Sequence, residues 1–131
     1  MQEELAGRSL EAALTVKNLE ASVAWYTDTL GFTVDRTHER GGRLIAVSIR
    51  AGTVRLLLAE DDGAKGLDRV KGDGLSLQIT IEQDVDAVAS RIQDRGWALD
   101  TPPVTGPHGL RVFRLRDPDG FRITISSASA V

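Results

Sequence analysis

Cysteine is missing from all 131 residues, so the chain forms no disulfide and offers no thiolate for a zinc site. A reducing compartment fits that absence. Aromatic side chains are scarce, 5% of the sequence, too few for a platform that stacks single-stranded bases. Clustered positive charge is lacking too: sixteen Lys and Arg interleave with nineteen Asp and Glu, for a net charge of −3. That balance removes the counterion release on which nucleic-acid binding relies. No apolar run suits a membrane span or a signal-peptide core, and the opening Met1-Gln2-Glu3-Glu4-Leu5 is acidic. The expectation is a cytoplasmic protein with no membrane and no nucleic-acid partner. Chemical signatures are missing as well. The chain has no phosphate-cradling GK[ST] loop, no G-x-S-x-G elbow and no dinucleotide fingerprint, and its two histidines give no persuasive triad.

What is present is a repeat. Residues 14–35 and 79–100 match in register at a constant offset of 65. Leu14-Thr15-Val16 answers to Ile79-Thr80-Ile81, Val23 to Val88, Gly31 to Gly96, Phe32 to Trp97 and Asp35 to Asp100. The period is too long for a solenoid unit and too short for two independent domains. It predicts one domain built from two similar halves, with a ligand held between them.

Each half reads β-α-β-β-β. Alternation over residues 10–16 predicts a strand. Asn18 as N-cap, Leu19, Val23, Tyr26 and Leu30 at helical spacing and Gly31 as stop predict a three-turn helix. A second strand starts at Phe32, the charged segment 36–43 reads as a hairpin tip, and strands follow over 44–50 and 53–59 around Ala51-Gly52. In the second half the expected elements are a strand over 75–81, a helix from about 84 to 95, and strands over 97–100, 110–116 and 121–126. Asp117-Pro118-Asp119-Gly120 carries the signature of a type I turn at the place of Ala51-Gly52. Module one then covers about residues 9–60, a glycine-rich charged linker 61–74, and module two about 75–127. The run Glu60-Asp61-Asp62 reads as a solvated loop, His38 as a surface residue, and Trp25, Tyr26 and Trp97 as structural aromatics.

Val16-Lys17-Asn18-Leu19-Glu20-Ala21-Ser22-Val23-Ala24-Trp25-Tyr26 with Leu30-Gly31-Phe32, and the ending Pro107-His108-Gly109-Leu110 through Asp117-Pro118-Asp119-Gly120, carry a resemblance. The chain resembles the vicinal oxygen chelate superfamily, which includes glyoxalase I, extradiol dioxygenases and bleomycin-resistance proteins, and it is most similar to the bleomycin-resistance members. The similarity covers about residues 9–127. It implies an α+β fold in which two βαβββ modules form mixed sheets curled around a shared cavity, commonly within a homodimer.

Enzymes of that superfamily hold a divalent metal with four His or Glu side chains, and the resemblance puts those positions at Glu11, Leu56, Ser76 and Thr124. Three of the four carry Leu, Ser and Thr, so no metal cofactor is expected and the reading leans away from an enzyme. The expectation is a metal-independent binder of an antibiotic or metabolite. Its ligand would be buried against Val54, Leu56 and Leu58 and oriented by Glu11, Ser76, Gln78, Thr124 and Arg111. His108 would border the cavity mouth, an imidazole suited to proton transfer near neutrality. Glu11 and His108 are the candidate bases if a reaction occurs. The alternative is a metal-dependent glyoxalase-like lyase, isomerase or dioxygenase; a third class is an interaction module with a vestigial cavity.

Overall fold

The computed structural model of the chain describes residues 3–66 and 69–130. The expected linker includes Leu67 and Asp68, and the expected acidic opening includes Met1 and Gln2; these four lie outside the described residues.

Module one runs β1 (Ala12–Val16), α1 (Leu19–Trp25), a π-helical turn (Tyr26–Leu30), β2 (Thr33–Arg40), β3 (Arg43–Ala51) and β4 (Val54–Glu60). Module two repeats it with β5 (Ser76–Ile81), α2 (Val85–Asp94), β6 (Thr101–Thr105), β7 (Arg111–Arg116) and β8 (Arg122–Ser127). The side chains of Asn18 and Asp84 cap α1 and α2 by accepting from the N–H groups of Ala21 and Ala87. Gly31 and Gly96 follow the helices with φ of 93° and 87°, a backbone sign that costs a side chain energy, which is why the repeat keeps glycine at both.

Within each sheet the first strand pairs in parallel with the last, and the other pairings are antiparallel, in the orders β1-β4-β3-β2 and β5-β8-β7-β6. This corrects the curled-sheet expectation. The two sheets are separate and open, each with two free edges, and they neither close nor curl around one shared cavity. The reason lies in the junction, which uses helix ends and a turn instead of pairing β1 with β5.

Two strands also depart from expectation. The charged segment read as a hairpin tip is strand nearly throughout: β2 and β3 turn at Gly41-Gly42 alone, both with positive φ as a two-residue hairpin requires. β2 is an edge strand with nearly all of its residues exposed, and charge on such an edge discourages pairing with other chains. In module two, the strand expected over 97–100 lies instead at Thr101–Thr105, where Pro102-Pro103 forces a register shift against β7.

Alternation sends Leu14, Val16 and Ile79 toward the helices, where they are buried. Their neighbours on the same faces, Leu58, Val47, Ile125 and Phe113, complete the core with Ile92 of α2.

Candidate functional site

Tyr26 and Trp25 are adjacent in sequence, yet both are buried, because the end of α1 is wedged between the modules. Trp25 packs edge-on against Trp97 of module two, with centroids 5.1 Å apart, and the Tyr26 hydroxyl donates to Asp117 Oδ2 at 2.8 Å. Asp117 Oδ1 also accepts the N–H groups of Asp119 and Phe121. Burial pushes the Asp117 carboxyl above the usual range against these donors, and burial together with the Asp117 charge pushes the Tyr26 phenol far up. Asp119 Oδ1 accepts the N–H of Lys17 at 2.8 Å. Lys71, with its side chain buried, reaches Asp61 Oδ2 at 2.9 Å, the Thr15 carbonyl at 3.0 Å and Asp119 at 3.4 Å. The Gly63 N–H, and after it Lys71, hold the Asp61 carboxyl down at about 2. Asp61 is therefore a buried junction residue, unlike the solvated loop expected for it. Arg95 completes the clamp by donating to the carbonyls of Asp28 and Thr29.

This clamp leaves the face of each sheet away from its helix open. In sheet two, register aligns Gln78, Thr124, Arg114 and Thr101 in one row across all four strands. Thr124 is only 7% exposed, and its hydroxyl has no hydrogen-bond partner among the described residues. Thr101 Oγ1 is buried and equally partnerless. Between them Arg114 is exposed and unpaired among the described residues. A guanidinium flanked by two free hydroxyls suits an oxyanion or another hydrogen-bond acceptor. The matching row of sheet one is Ala13, Leu57, Ser48 and Arg36, half apolar.

Ser76, Gln78 and Thr124 share this open face of sheet two. Glu11 is exposed in the segment just before β1. Val54, half-buried at the start of β4, lines a cleft of about 800 Å³ between the modules. Leu56 and Leu58 do not line a cavity: they are 4% and 0% exposed in the core, and Leu57 occupies the open face between them. Arg111 points to the helix face, where Asp86 takes its Nε at 2.9 Å and its Nη2 at 3.1 Å. That pairing raises the guanidinium pKa and lowers the Asp86 carboxyl. His108 is exposed in the β6–β7 turn. His38 rests 3.4 Å from Ser48 Oγ on the open face of sheet one. Arg114 and Thr101 were not anticipated, although the apolar pair Phe113 and Leu115 implies that Arg114 faces the other way.

The implied metal positions do not fit a metal. Leu56 is turned into the core, its open-face neighbour Leu57 is also hydrocarbon, and one carboxylate with two hydroxyls is a poor donor set for a transition metal. Among the described residues no group of three or more His, Cys, Asp or Glu is placed to hold an ion.

Paired βαβββ modules with open mixed sheets and a charged junction define a duplicated α+β fold. A model of the Glyoxalase/Bleomycin resistance protein/Dioxygenase superfamily matches residues 8–125, and the chain belongs to that superfamily. Its fold matches a superfamily member from Sphaerobacter thermophilus (TM-score 0.74, 20% identity, covering 94% of this chain and 99% of that one). TioX from Micromonospora sp. ML1 is similar at TM-score 0.71 and 18% identity, covering 95% and 98%. A lactoylglutathione lyase from Agrobacterium tumefaciens follows at 0.70 and 19%, covering 95% and 96%. At these identities the likeness is one of fold. No curated protein matches the chain by sequence. No helix among the described residues is long and apolar enough to cross a membrane.

Proposed function

We propose that the chain is a metal-independent, cytoplasmic small-molecule-binding protein that works as a homodimer. The observation that carries this reading is the row Gln78, Thr124, Arg114 and Thr101, where two partnerless hydroxyls flank a free guanidinium on an open sheet face. Polar groups held without partners are a cost that a ligand's acceptor atoms repay. Ser76 extends the polar row toward the strand start. A single open sheet gives a ligand one wall, and pockets that hold small molecules bury most of the ligand's surface. The second wall comes from the other copy, with Leu57 and Ala13 of sheet one as the apolar patch facing the ligand and Glu11 at the rim.

A lactoylglutathione lyase shares this backbone, and one fold can carry unrelated functions, so the donor set is the discriminating feature. Native mass spectrometry of untagged protein purified without chelators tests the reading. The expected spectrum is a dimer without stoichiometric metal and with an organic adduct, and Arg114→Gln or Thr124→Val removes the adduct while the dimer and the circular dichroism persist. One Ni, Zn, Fe or Mn per chain overturns the metal-independent reading.

A further inference from the structure

The open sheet faces concentrate arginine, although the chain as a whole has a net charge of −3. Residues on one face of a strand recur at every second position. Register therefore puts Arg36, Arg50 and Arg55 on the open face of sheet one, and Arg114, Arg116 and Arg122 on that of sheet two. In sheet one Asp35 answers two of the three, reaching Arg55 at 3.2 Å and Arg50 at 3.8 Å. Sheet two is less well balanced. Asp100 takes Arg116 at 3.1 Å. Arg122 reaches only Asp73, at 3.9 Å and on a side chain 86% exposed, and Arg114 has no carboxylate partner among the described residues.

The pairing of β7 with β8 sets these charges close together. Arg116 stands directly opposite Arg122, and like charges so placed cost a sheet stability. Arg114, opposite Thr124, lies two residues from Arg116 and diagonal to Arg122, so the three side chains leave the backbone about 5–8 Å apart and are long enough to converge on one molecule. Beside Arg114 are the hydroxyls of Thr124 and Thr101, both partnerless among the described residues. No Phe, Tyr or Trp stands in these rows, so the face offers nothing on which a base could stack. What it offers is donors and positive charge. A guanidinium grips a phosphate or carboxylate through two parallel N–H bonds, and a face of one sign gathers counter-charged solutes.

Resting on the small-molecule reading above, we propose that sheet two selects an organic polyanion, with one phosphate or carboxylate group bound by Arg114, Thr124 and Thr101 and a second negative group held by Arg122. The ligand then supplies the charge that Arg116 and Arg122 lack between them.

Isothermal titration calorimetry in metal-free, low-salt buffer tests this with pyrophosphate, tricarballylate and, as the singly charged control, acetate. The expected result is one site per chain for a polyanion, at least tenfold tighter than for acetate. Arg114→Gln and Arg122→Gln should each weaken it at least tenfold, and Arg91→Gln, on α2 and away from the open face, less than twofold. Tighter pyrophosphate assigns the groups as phosphates, tighter tricarballylate as carboxylates. Binding of neither polyanion, or binding that survives both open-face substitutions, overturns the proposal. An organic adduct in the native mass spectrum that Arg114→Gln removes and Arg122→Gln retains also overturns the polyanion, while leaving the small-molecule reading standing. No adduct together with no polyanion binding overturns both.

Discussion

Two turns sit at equivalent places in the two modules and do different work. Ala51-Gly52-Thr53 joins β3 to β4 and forms a rim of the intermodule cleft, with Gly52 and Thr53 exposed. Asp117-Pro118-Asp119-Gly120 joins β7 to β8 and is the hub of the junction, taking bonds from Tyr26, Lys17 and Lys71. The strands and helices are near copies, while the turns have diverged into a ligand-sized opening on one side and a clamp on the other. A duplicated fold keeps its cores alike and places its asymmetry in the connections.

Substitutions at matched positions sharpen this comparison. The largest expected effect is in the cores: Leu58→Ala and Ile125→Ala, each facing its own helix, should each destabilise by about 2–5 kcal/mol in urea unfolding. Leu57→Ala on the open face should cost far less. A Leu58→Ala variant of unchanged stability would mean that Leu58 lines a cavity after all. Next come the turns. Asp117→Ala strands the buried Tyr26 hydroxyl and two N–H groups and should cost about 1–3 kcal/mol, whereas Thr53→Ala should be nearly neutral by the same assay. Equal losses at the two turns would erase the division of labour.

The smallest effect is with pH. The folded Asp61 carboxyl sits at about 2, below its ordinary 3.8, so its stabilisation is full above 3.8 and fades as pH falls toward 2. Asp117 is shifted the other way by burial; its contribution is full below the ordinary value and fades as pH rises through the raised one. Unfolding midpoints between pH 2 and 5 should fall with acid in the native chain, and Asp61→Asn should flatten that slope. A variant with the native slope would detach Asp61 from acid stability.

Much of the architecture was legible from residue pattern: the repeat, the Asn18 cap and the Gly31 stop with its repeat mate Gly96. The assignment of Leu56 and Leu58 to a cavity failed for a definite reason. Leu56-Leu57-Leu58 is apolar at every position, so alternation is silent there, and only the pairing of Ala13 with Leu57 sets the face. Arg111 was misassigned because a strand-end arginine can serve either face, and Asp86, 25 residues earlier in sequence, decides which. Asp61, expected in a solvated loop because a glycine-rich charged stretch usually is one, pairs in the interior with Lys71. Their burial arises from the meeting of three segments that no local window contains. The curled sheets expected from the family resemblance depend on how modules meet, and that is fixed by Tyr26, Trp25 and Asp117 across the junction.

Trp25 and Trp97 are the chain's two tryptophans, one from each module. At a centroid separation of 5.1 Å the two indoles are close enough to couple as excited-state chromophores, so the near-ultraviolet circular dichroism of the protein is in effect a gauge of intermodule distance. Parting of the modules would remove the Trp25–Trp97 share of that signal, leaving the Trp25–Tyr26 contact inside module one, while the backbone bands of helices and sheets stayed. The chain thus carries its own optical reporter, able to separate undocking from unfolding with no label added.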